Sequence, residues 1–445
     1  MTTNNGNLFQ RIMKAASKVE AHELRAVLLS FSFVFILMAA YYILRPVRDA
    51  MASDWTDTEV SVLWNLNFFI SIAVVAIYGI AVSRIRFKVL VPSVYAFFAA
   101  SFVAFYFGVS AMEDRVLVDK TFYIWVSVFS LFHISVFWSF MGDLFSKEQS
   151  GRVFAFIAAG SSAGALVGPA VPALFAGALG TDQLMLMSAV LLLIPIPMII
   201  YLERLKIVEL KNQNVHVDLS QARIGGNPFA GFKMFFTNPY LLAIGAFIFL
   251  YTAVGSFVYF EQKNLLAEFD RAQRTEILAW IDLIVNVLTF LIGLFFTSRI
   301  VTRFGMAVTL ALVPVFIAAG LVILAFAPVL TIALALQVAR RVGNYAITRP
   351  GREMLFTAVD RETRFKAKPV IDIVVYRGGD AVSSIAFAGL TDGVGLGLGA
   401  MAAVGAGIAS AWAAVGAYLG RRFQRLDTEA EIPPPTAGEA AVTKV

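Results

Sequence analysis

The chain has 445 residues, of which 59% are hydrophobic, and it carries a formal net charge of +6. Soluble domains are closer to half apolar, so this composition argues against a soluble protein and indicates a membrane protein. The sequence contains no cysteine, which excludes disulfides and thiolate metal sites, and its three histidines lack the paired spacing of a metal motif. We therefore expect no metal and no other cofactor.

Apolar runs of about 20 residues recur along most of the chain, and each is long enough to cross a hydrocarbon core about 30 Å thick. The twelve predicted spans cover residues 25–44, 61–83, 88–110, 121–142, 153–177, 184–202, 239–260, 276–298, 306–327, 328–348, 369–390 and 394–419. The sequence therefore predicts an all-α membrane protein with twelve transmembrane helices.

The loops between these spans alternate in charge. The loop after the first span has two basic and four acidic side chains, whereas the next loop, "SRIRFK", has only basic ones. The segment 340–368 has eight basic and three acidic side chains. Basic loops remain in the cytoplasm. We therefore expect a bacterial inner-membrane protein with both termini in the cytoplasm.

A polar stretch at 203–238 separates the spans into two sets of six. The predicted regions are a cytoplasmic N-terminus at 1–22 with an interfacial helix at 8–20, a six-helix bundle at 23–202, a cytoplasmic linker at 203–238, a second bundle at 239–420 and a disordered cytoplasmic tail at 421–445. Two parallel six-helix repeats describe the major facilitator fold, in which the substrate site lies near the bilayer midplane.

Three charged residues close the first span, in the stretch "YYILRPVRDAM". Ionisable side chains near the bilayer cost about 2.5–3.5 kcal/mol each, so they usually face water or one another. Arg45 and Asp49 are four residues apart and share one helix face. We predict that Arg45, Arg48 and Asp49 bind substrate in a watery cavity. An ordinary polar helix end that reaches the headgroups is the alternative.

The eleventh span contains a second set of charges, in "KPVIDIVVYRGGDAVSS". Lys368 precedes Asp372 by four residues, and Arg377 precedes Asp380 by three, so each pair can meet on one helix face. We predict that these four residues also bind substrate. A purely structural set of ion pairs is the alternative.

Other polar or aromatic residues are candidates for gates or supports. Asp282 and Asn286 are four residues apart in the eighth span, and Asn65 and Asn67 lie in the second span. Interhelical hydrogen bonds are the common use of such residues. We expect His133 to be a hydrogen-bonded core residue. The predicted gate or support residues are Asn65, Trp138, Asp143, Glu261, Lys263, Asp282, Asn286, Arg349 and Arg352.

Three stretches resemble the bacterial and plastid ATP/ADP translocases. "YYILRPVRDAM" is similar to that family's N-Y-x-I-L-R-x-x-K-D signature, and "SVFWSFMGDLF" resembles its F-W-G-F-A-N segment. The third stretch, "GREMLFTAVDRETRFKAKPVIDIV", matches K-E-M-x-x-x-P-L-D-x-x-T-K-x-K-G-K-x-x-I-D-V at Glu353, Met354, Asp360, Thr363, Lys366, Lys368, Ile371 and Asp372. The resemblance implies a major facilitator fold and an anionic, phosphorylated substrate. The family's early F-L-K-T-W lysine has no counterpart in "VLWNLNFF".

These features together predict a secondary transporter that exchanges a small anionic, nucleotide-like solute by alternating access. Arg45, Arg48, Lys368 and Arg377 would neutralise the anion, because guanidinium offers paired donors to carboxylate or phosphate. The alternatives are a proton-coupled exporter of a hydrophobic or cationic compound and a non-transporting membrane scaffold. No nucleophile–base pair is visible in the sequence, so we expect no enzyme activity. The expected partners are the solute and membrane lipid, without nucleic acid, and we expect a monomer.

Overall fold

A computed structural model describes residues 19–85, 87–112, 115–210, 230–295, 297–359, 367–368 and 370–431. Within these ranges the chain is mostly helical and has no strand, which confirms the all-α prediction. Most of the predicted N-terminal interfacial helix and most of the predicted linker fall outside the described residues.

The chain divides into two compact units. The first comprises Met1–Gly225 and Lys263–Val287, and the second comprises Gly226–Gln262 and Leu288–Val445. The described part of the chain before the linker contains seven α-helices: α1 Leu24–Met51, α2 Asp57–Arg84, α3 Phe87–Ala111, α4 Val116–Leu144, α5 Lys147–Leu179, α6 Thr181–Leu193 and α7 Pro195–Val208. The sixth predicted span is thus two helices, because Pro195 starts a new helix where it lacks a backbone donor.

From residue 230 onward, the residues that the structure describes form eight α-helices: α8 Ala230–Thr237, α9 Pro239–Leu266, α10 Arg271–Phe295, α11 Thr297–Phe326, α12 Leu330–Gly343, α13 Arg349–Leu355, α14 Tyr376–Ala388 and α15 Leu398–Glu431. Short π-helical turns occupy Asn344–Thr348, Val370–Val375 and Gly389–Gly393. Gly305 has a positive φ of 74° and breaks α11 near its start. The predicted disordered tail is wrong for residues 421–431, which continue α15, while residues 432–445 fall outside the described residues.

Among the described residues, nine helical segments are long and apolar enough to cross a membrane. Every predicted span overlaps at least one helix, so the twelve-span prediction agrees with the fold. The first span, however, does not end at residue 44. Helix α1 continues to Met51 and a 3-10 turn extends it to Asp54, which places Arg45, Arg48 and Asp49 inside the helix.

The first unit is built around a close contact between α1 and α5. Helix α5 begins with a capping box, in which Ser146 and Gln149 satisfy each other's backbone amides. Gly160, Gly164 and Gly168 then recur every four residues and face the backbone of α1. A Cβ atom at Gly164 would lie 2.2 Å from the carbonyl oxygen of Phe35. Small residues therefore set how closely these two helices approach.

Aromatic side chains fill the interior beside α1. Phe33 packs edge-on against Tyr95 and Phe137, with ring centroids 5.4 Å and 5.0 Å away, and all three rings are fully buried. The Tyr95 hydroxyl donates to the backbone oxygen of His133 at 2.9 Å. Edge-on aromatic pairs stabilise a core by about 0.5–1.5 kcal/mol beyond burial. This packing fixes α1 and α4 as a rigid frame for the charged residues of α1.

Candidate functional site

Arg48 is held firmly by neighbouring groups. Its Nε and Nη2 atoms donate to Oδ1 of Asp49 at 2.9 Å and 2.6 Å, and Nη1 donates to Ser127 Oγ at 3.2 Å. The guanidinium also lies over the ring of Tyr123, 5.6 Å from its centroid. Only 15% of the side chain is exposed. Arg48 is therefore an ordered, almost fully partnered cation.

Arg45 is held by charge but not by hydrogen bonds. Its Nη1 atom lies 3.5 Å from Asp282 Oδ1, and its Nε atom lies 3.7 Å from Asp49 Oδ2, which confirms the predicted pairing along the helix. No hydrogen bond joins Arg45 to any residue in the described part of the chain. The side chain is 18% exposed. Its N–H donors are thus oriented and available to a ligand.

The charges of this group balance. Two arginines, Arg45 and Arg48, face two carboxylates, Asp49 and Asp282, and none of the four side chains exceeds 18% exposure. Desolvated ions of one sign are costly, so the acids stabilise the arginines when no ligand is bound. The group offers directional donors without a large net charge.

Aromatic rings border the same group. Tyr41 stacks on His133 with centroids 4.8 Å apart, and Trp64 Nε1 donates to the Tyr123 hydroxyl at 2.7 Å. His133 is buried and its Nδ1 atom lies 3.2 Å from the backbone oxygen of Phe129. The prediction of a hydrogen-bonded core histidine is confirmed. Flat aromatic faces beside arginine donors suit a ligand that has both planar and acidic parts.

Polar residues of the second and eighth predicted spans behave differently. Asn286 donates through Nδ2 to the backbone oxygen of Ala165 at 2.5 Å, which confirms the expected interhelical bond. Asn65 instead donates to the backbone oxygen of Ser61 at 2.8 Å, within its own helix. The interhelical prediction is wrong for Asn65 because a carbonyl one turn away satisfies its amide.

Two of the predicted supports make contacts with neighbouring side chains within the first unit. Asp143 accepts a hydrogen bond from Lys206 Nζ at 2.7 Å, which ties the end of α4 to α7. Trp138 packs against Phe154 with ring centroids 5.2 Å apart. Both residues thus act as supports between helices in this structure, and neither reaches the arginines of α1 by a described contact.

A second charged network joins the end of α1 to the start of α10. Arg271 donates to Asp54 at 2.5 Å and to Asp119 at 2.7 Å, and Arg274 also pairs with Asp54. Lys263 donates to Asp57 at 2.7 Å. The sequence prediction placed Glu261 and Lys263 just beyond the span 239–260, as gate or support residues. Both lie inside α9 and are 0% and 4% exposed, because Asp57 supplies a counter-ion for the lysine.

Replacing Lys263 with methionine should lower the unfolding free energy by about 3–5 kcal/mol, because it leaves the Asp57 carboxylate buried without its cation. The double variant Lys263→Met/Asp57→Asn should recover most of the loss. Apparent melting temperatures in detergent measure both effects. Lys120→Met is the matched control, because its 2.6 Å pair with Glu59 is partly exposed and contributes about 1 kcal/mol or less. Equal losses for Lys263→Met and Lys120→Met would contradict the assignment.

The predicted pair of Lys368 with Asp372 is wrong. Lys368 Nζ donates to Glu353 at 2.5 Å, Arg352 donates to the same carboxylate at 2.9 Å, and Arg352 also lies 3.6 Å from Asp372. Partial burial raises the pKa of Glu353, but the hydrogen bonds from Lys368 and Arg352 outweigh burial and lower the pKa below its usual value. The spacing rule failed because the fold brings Glu353, 15 residues earlier in the chain, beside the Lys368 ammonium group.

The other charged residues that were predicted in this region also belong to the second unit. Arg349 is exposed at the start of α13. Arg377 and Asp380 lie 3.8 Å apart, as their spacing predicted. Asp360, Thr363 and Lys366, which carry part of the family resemblance, fall outside the described residues.

Sequence reasoning missed Arg340, which it counted with a basic loop. Arg340 and Arg341 end α12 and are 8% and 6% exposed, so neither belongs to an open loop. The signal for burial is present in the sequence, because "LTIALALQVARRVGNYAIT" continues apolar on both sides of the two arginines. Within the described ranges, no group of histidine and acidic residues could hold a metal ion.

A comparison with models of protein families shows to which family the chain belongs. The model described as Major Facilitator Superfamily matches residues 30–348, more than half of the chain. The chain belongs to the Major Facilitator Superfamily. Its family and its fold are those of a secondary transporter. The long apolar helices show that the chain is a multi-pass membrane protein.

Solved structures of other members of this superfamily share the fold. The nucleoside transporter NupG is 14% identical with a TM-score of 0.63, and the match covers 90% of this chain and 99% of that one. A bacterial homologue of the human lysosomal transporter Spinster, inward-facing and unoccupied, is 16% identical with a TM-score of 0.56, covering 94% and 100%. A comparison with curated proteins gave no match. The superfamily is thus established, while the resemblance to ATP/ADP translocases remains a prediction.

Proposed function

We propose that this superfamily member transports a small anionic solute, phosphorylated and nucleotide-like, by alternating access and exchange. Its proposed location is the bacterial inner membrane, with both termini in the cytoplasm. The main support for an anionic substrate is Arg45. Its guanidinium is buried and oriented but makes no hydrogen bond to the described residues.

The contacts of Arg45 support an anion directly. Its two carboxylate neighbours stand 3.5 Å and 3.7 Å away, beyond the 2.7–2.9 Å of a charge-assisted hydrogen bond. A carboxylate or phosphate oxygen at the shorter distance would gain the bonds that Asp282 and Asp49 do not make. Arg48 stays bound to Asp49 and Ser127, so it strengthens the local potential while Arg45 contacts the solute.

The charge balance around Arg45 bears on the coupling mode. An excess of positive charge would favour exchange, because an empty site would then resist closure. Asp49 and Asp282 already neutralise the two arginines, so this electrostatic argument does not support exchange. Exchange is proposed from the resemblance to ATP/ADP translocases alone.

Asp282 favours a second candidate, a proton-coupled exporter of a hydrophobic or cationic compound. Its carboxylate is 4% exposed and faces Arg45 without a hydrogen bond to it, so protonation would release the arginine. In this case the acids carry the coupling. Asp282→Asn would then abolish transport, whereas substitution of Arg45 by glutamine would have little effect.

Thermal-shift measurements on the purified protein separate the two candidates, because a ligand stabilises the state that it binds. The probes are ADP, glucose 6-phosphate, citrate, uridine and the cation tetraphenylphosphonium. The anionic proposal expects stabilisation by one or more anions and loss of that shift in Arg45→Gln. Stabilisation by tetraphenylphosphonium alone would contradict it.

Liposomes then test exchange. Uptake of the stabilising anion should be much faster when the same unlabelled compound is present inside. Equal uptake with and without internal substrate would contradict exchange. Uptake that follows an imposed pH gradient instead would favour the proton-coupled mode.

A further inference from the structure

Arg340 is a buried cation whose hydrogen bonds to the described residues go only to a neutral group. Its Nε and Nη2 atoms donate to Gln337 Oε1 at 3.2 Å and 2.8 Å, one turn earlier on α12. The residue is 8% exposed. Among the described residues, no carboxylate lies within 4.0 Å of its guanidinium. Burial of a cation without a paired anion is costly, so structural reasons alone do not account for Arg340.

The Nη1 atom of Arg340, which makes no hydrogen bond to Gln337, lies against α9 at a glycine. Gly255 on α9 faces the Nη1 atom, and a Cβ atom at this position would lie 3.0 Å from it. A larger residue here would press against the end of the guanidinium. Asp380 attracts Arg340 electrostatically and forms its ion pair with Arg377 at 3.8 Å. The attraction between Asp380 and Arg340 therefore acts beyond ion-pair distance.

The guanidinium lies over one aromatic ring, which packs against two others. Arg340 lies 5.9 Å from the ring centroid of Tyr251. That ring packs against Trp412 at 5.6 Å and against Tyr376 at 6.1 Å, both measured between centroids. Arginine over an aromatic face remains a hydrogen-bond donor at its edges, while the rings offer flat apolar surface.

The cluster borders water. Arg377 and Asp380 lie inside the predicted eleventh span, yet 35% and 26% of their side chains are exposed. Charged side chains in a membrane-spanning segment keep such exposure where they line an aqueous space. Tyr345, five residues after Arg340, is 37% exposed. A water-soluble ligand can therefore reach the neighbourhood of Arg340.

We propose that Arg340 binds the acidic group of a small organic anion, while Tyr251 and Tyr376 contact a planar part of the same molecule. The unused N–H donors of the guanidinium would bond to carboxylate or phosphate oxygens. This inference rests on the proposed function, since it assigns an anion-binding residue within the second unit to a protein that is proposed to transport anions.

The test measures binding of phenyl phosphate, which joins a phosphate to a planar ring, by thermal shift of the full chain in uncharged detergent. Arg340→Gln should weaken binding by about 10- to 100-fold, because it removes hydrogen bonds to a charged group. Arg340→Lys should recover part of the affinity. The matched control is Arg421→Gln, which alters an exposed arginine of α15 and should bind as the unmodified protein does.

The melting temperature without ligand distinguishes a binding role from a structural role, because loss of an arginine that stabilises the fold would lower it. Arg340→Gln should melt at the same temperature as the unmodified protein or higher, since it removes an uncompensated buried charge. A large fall in melting temperature would assign Arg340 to folding and overturn the proposal. Unchanged affinity for phenyl phosphate in Arg340→Gln would also overturn it, as would the absence of binding to the unmodified protein.

Two further arms separate this inference from its alternatives. If Arg45→Gln loses phenyl phosphate binding and Arg340→Gln retains it, the proposed function stands and the role of Arg340 falls. If only Arg340→Gln loses binding, the role of Arg340 stands and the assignment to Arg45 falls. Melting temperatures in phosphatidylcholine nanodiscs with and without phosphatidylglycerol test whether the bound anion is a lipid headgroup. If phosphatidylglycerol stabilises the unmodified protein but not Arg340→Gln, and phenyl phosphate stabilises neither, the proposal that Arg340 binds a solute is overturned.

Discussion

Replacing Arg45 with glutamine is expected to reduce transport of the anionic solute by about 10- to 100-fold, because the substitution removes charge-assisted hydrogen bonds to the solute. Lysine at the same position should retain an intermediate rate, since it keeps the charge but loses the paired donors of guanidinium. Initial rates of uptake into liposomes measure both variants. Arg25→Gln is the matched control, because Arg25 is 70% exposed and pairs only at the surface with Glu209.

A loss of stability could imitate this result, because Arg45→Gln leaves Asp282 buried beside a neutral side chain. The double variant Arg45→Gln/Asp282→Asn removes both charges and should restore the melting temperature while transport remains low. If the double variant regains the rate of the unmodified protein, Arg45 supports the fold and does not contact the solute.

Replacing Gly164 with alanine is expected to lower the unfolding free energy by about 3 kcal/mol, the upper end of the usual cost of overpacking. The new Cβ atom would lie 2.2 Å from the carbonyl oxygen of Phe35 and 2.9 Å from Cβ of Met38. The first of these neighbours is backbone, which cannot rotate away as a side chain can. Helices α1 and α5 must therefore separate, and the yield of folded protein in membranes should fall with the melting temperature.

Gly177 supplies a control in the same helix. A Cβ atom there would have no heavy atom within 4 Å. Alanine has the higher helix propensity by about 1 kcal/mol, so Gly177→Ala should be neutral or slightly stabilising. If both variants melt alike, helix propensity governs this stretch and the close contact with α1 does not.

The sequence predicted those features that depend on local spacing. Apolar length indicated the helices, and residues four or three apart gave the pairs of Arg45 with Asp49 and of Arg377 with Asp380. Each pair lies on one helix and needs no knowledge of the fold.

Features that depend on distant segments were not predictable. Asp282 meets Arg45 across 237 positions of sequence, and no spacing rule reaches that far. Arg340 was counted with a loop because two adjacent arginines usually mark a cytoplasmic boundary. Its burial depends on Gln337 and on Tyr251 from another helix. Lys368 was assigned to the wrong acid because Glu353, which precedes it by 15 residues, is brought beside it by the fold.

The wide turn at Asn344–Thr348 has a consequence for the residues on either side of it. Each residue advances an α-helix by about 100° around its axis, so one additional residue in a turn shifts the phase of everything beyond it. Arg340 precedes this turn and Arg352 follows it. Their angular relation is thus set by local winding, and removal of a single residue from the turn would swing Arg352 around the axis while Arg340 kept its direction.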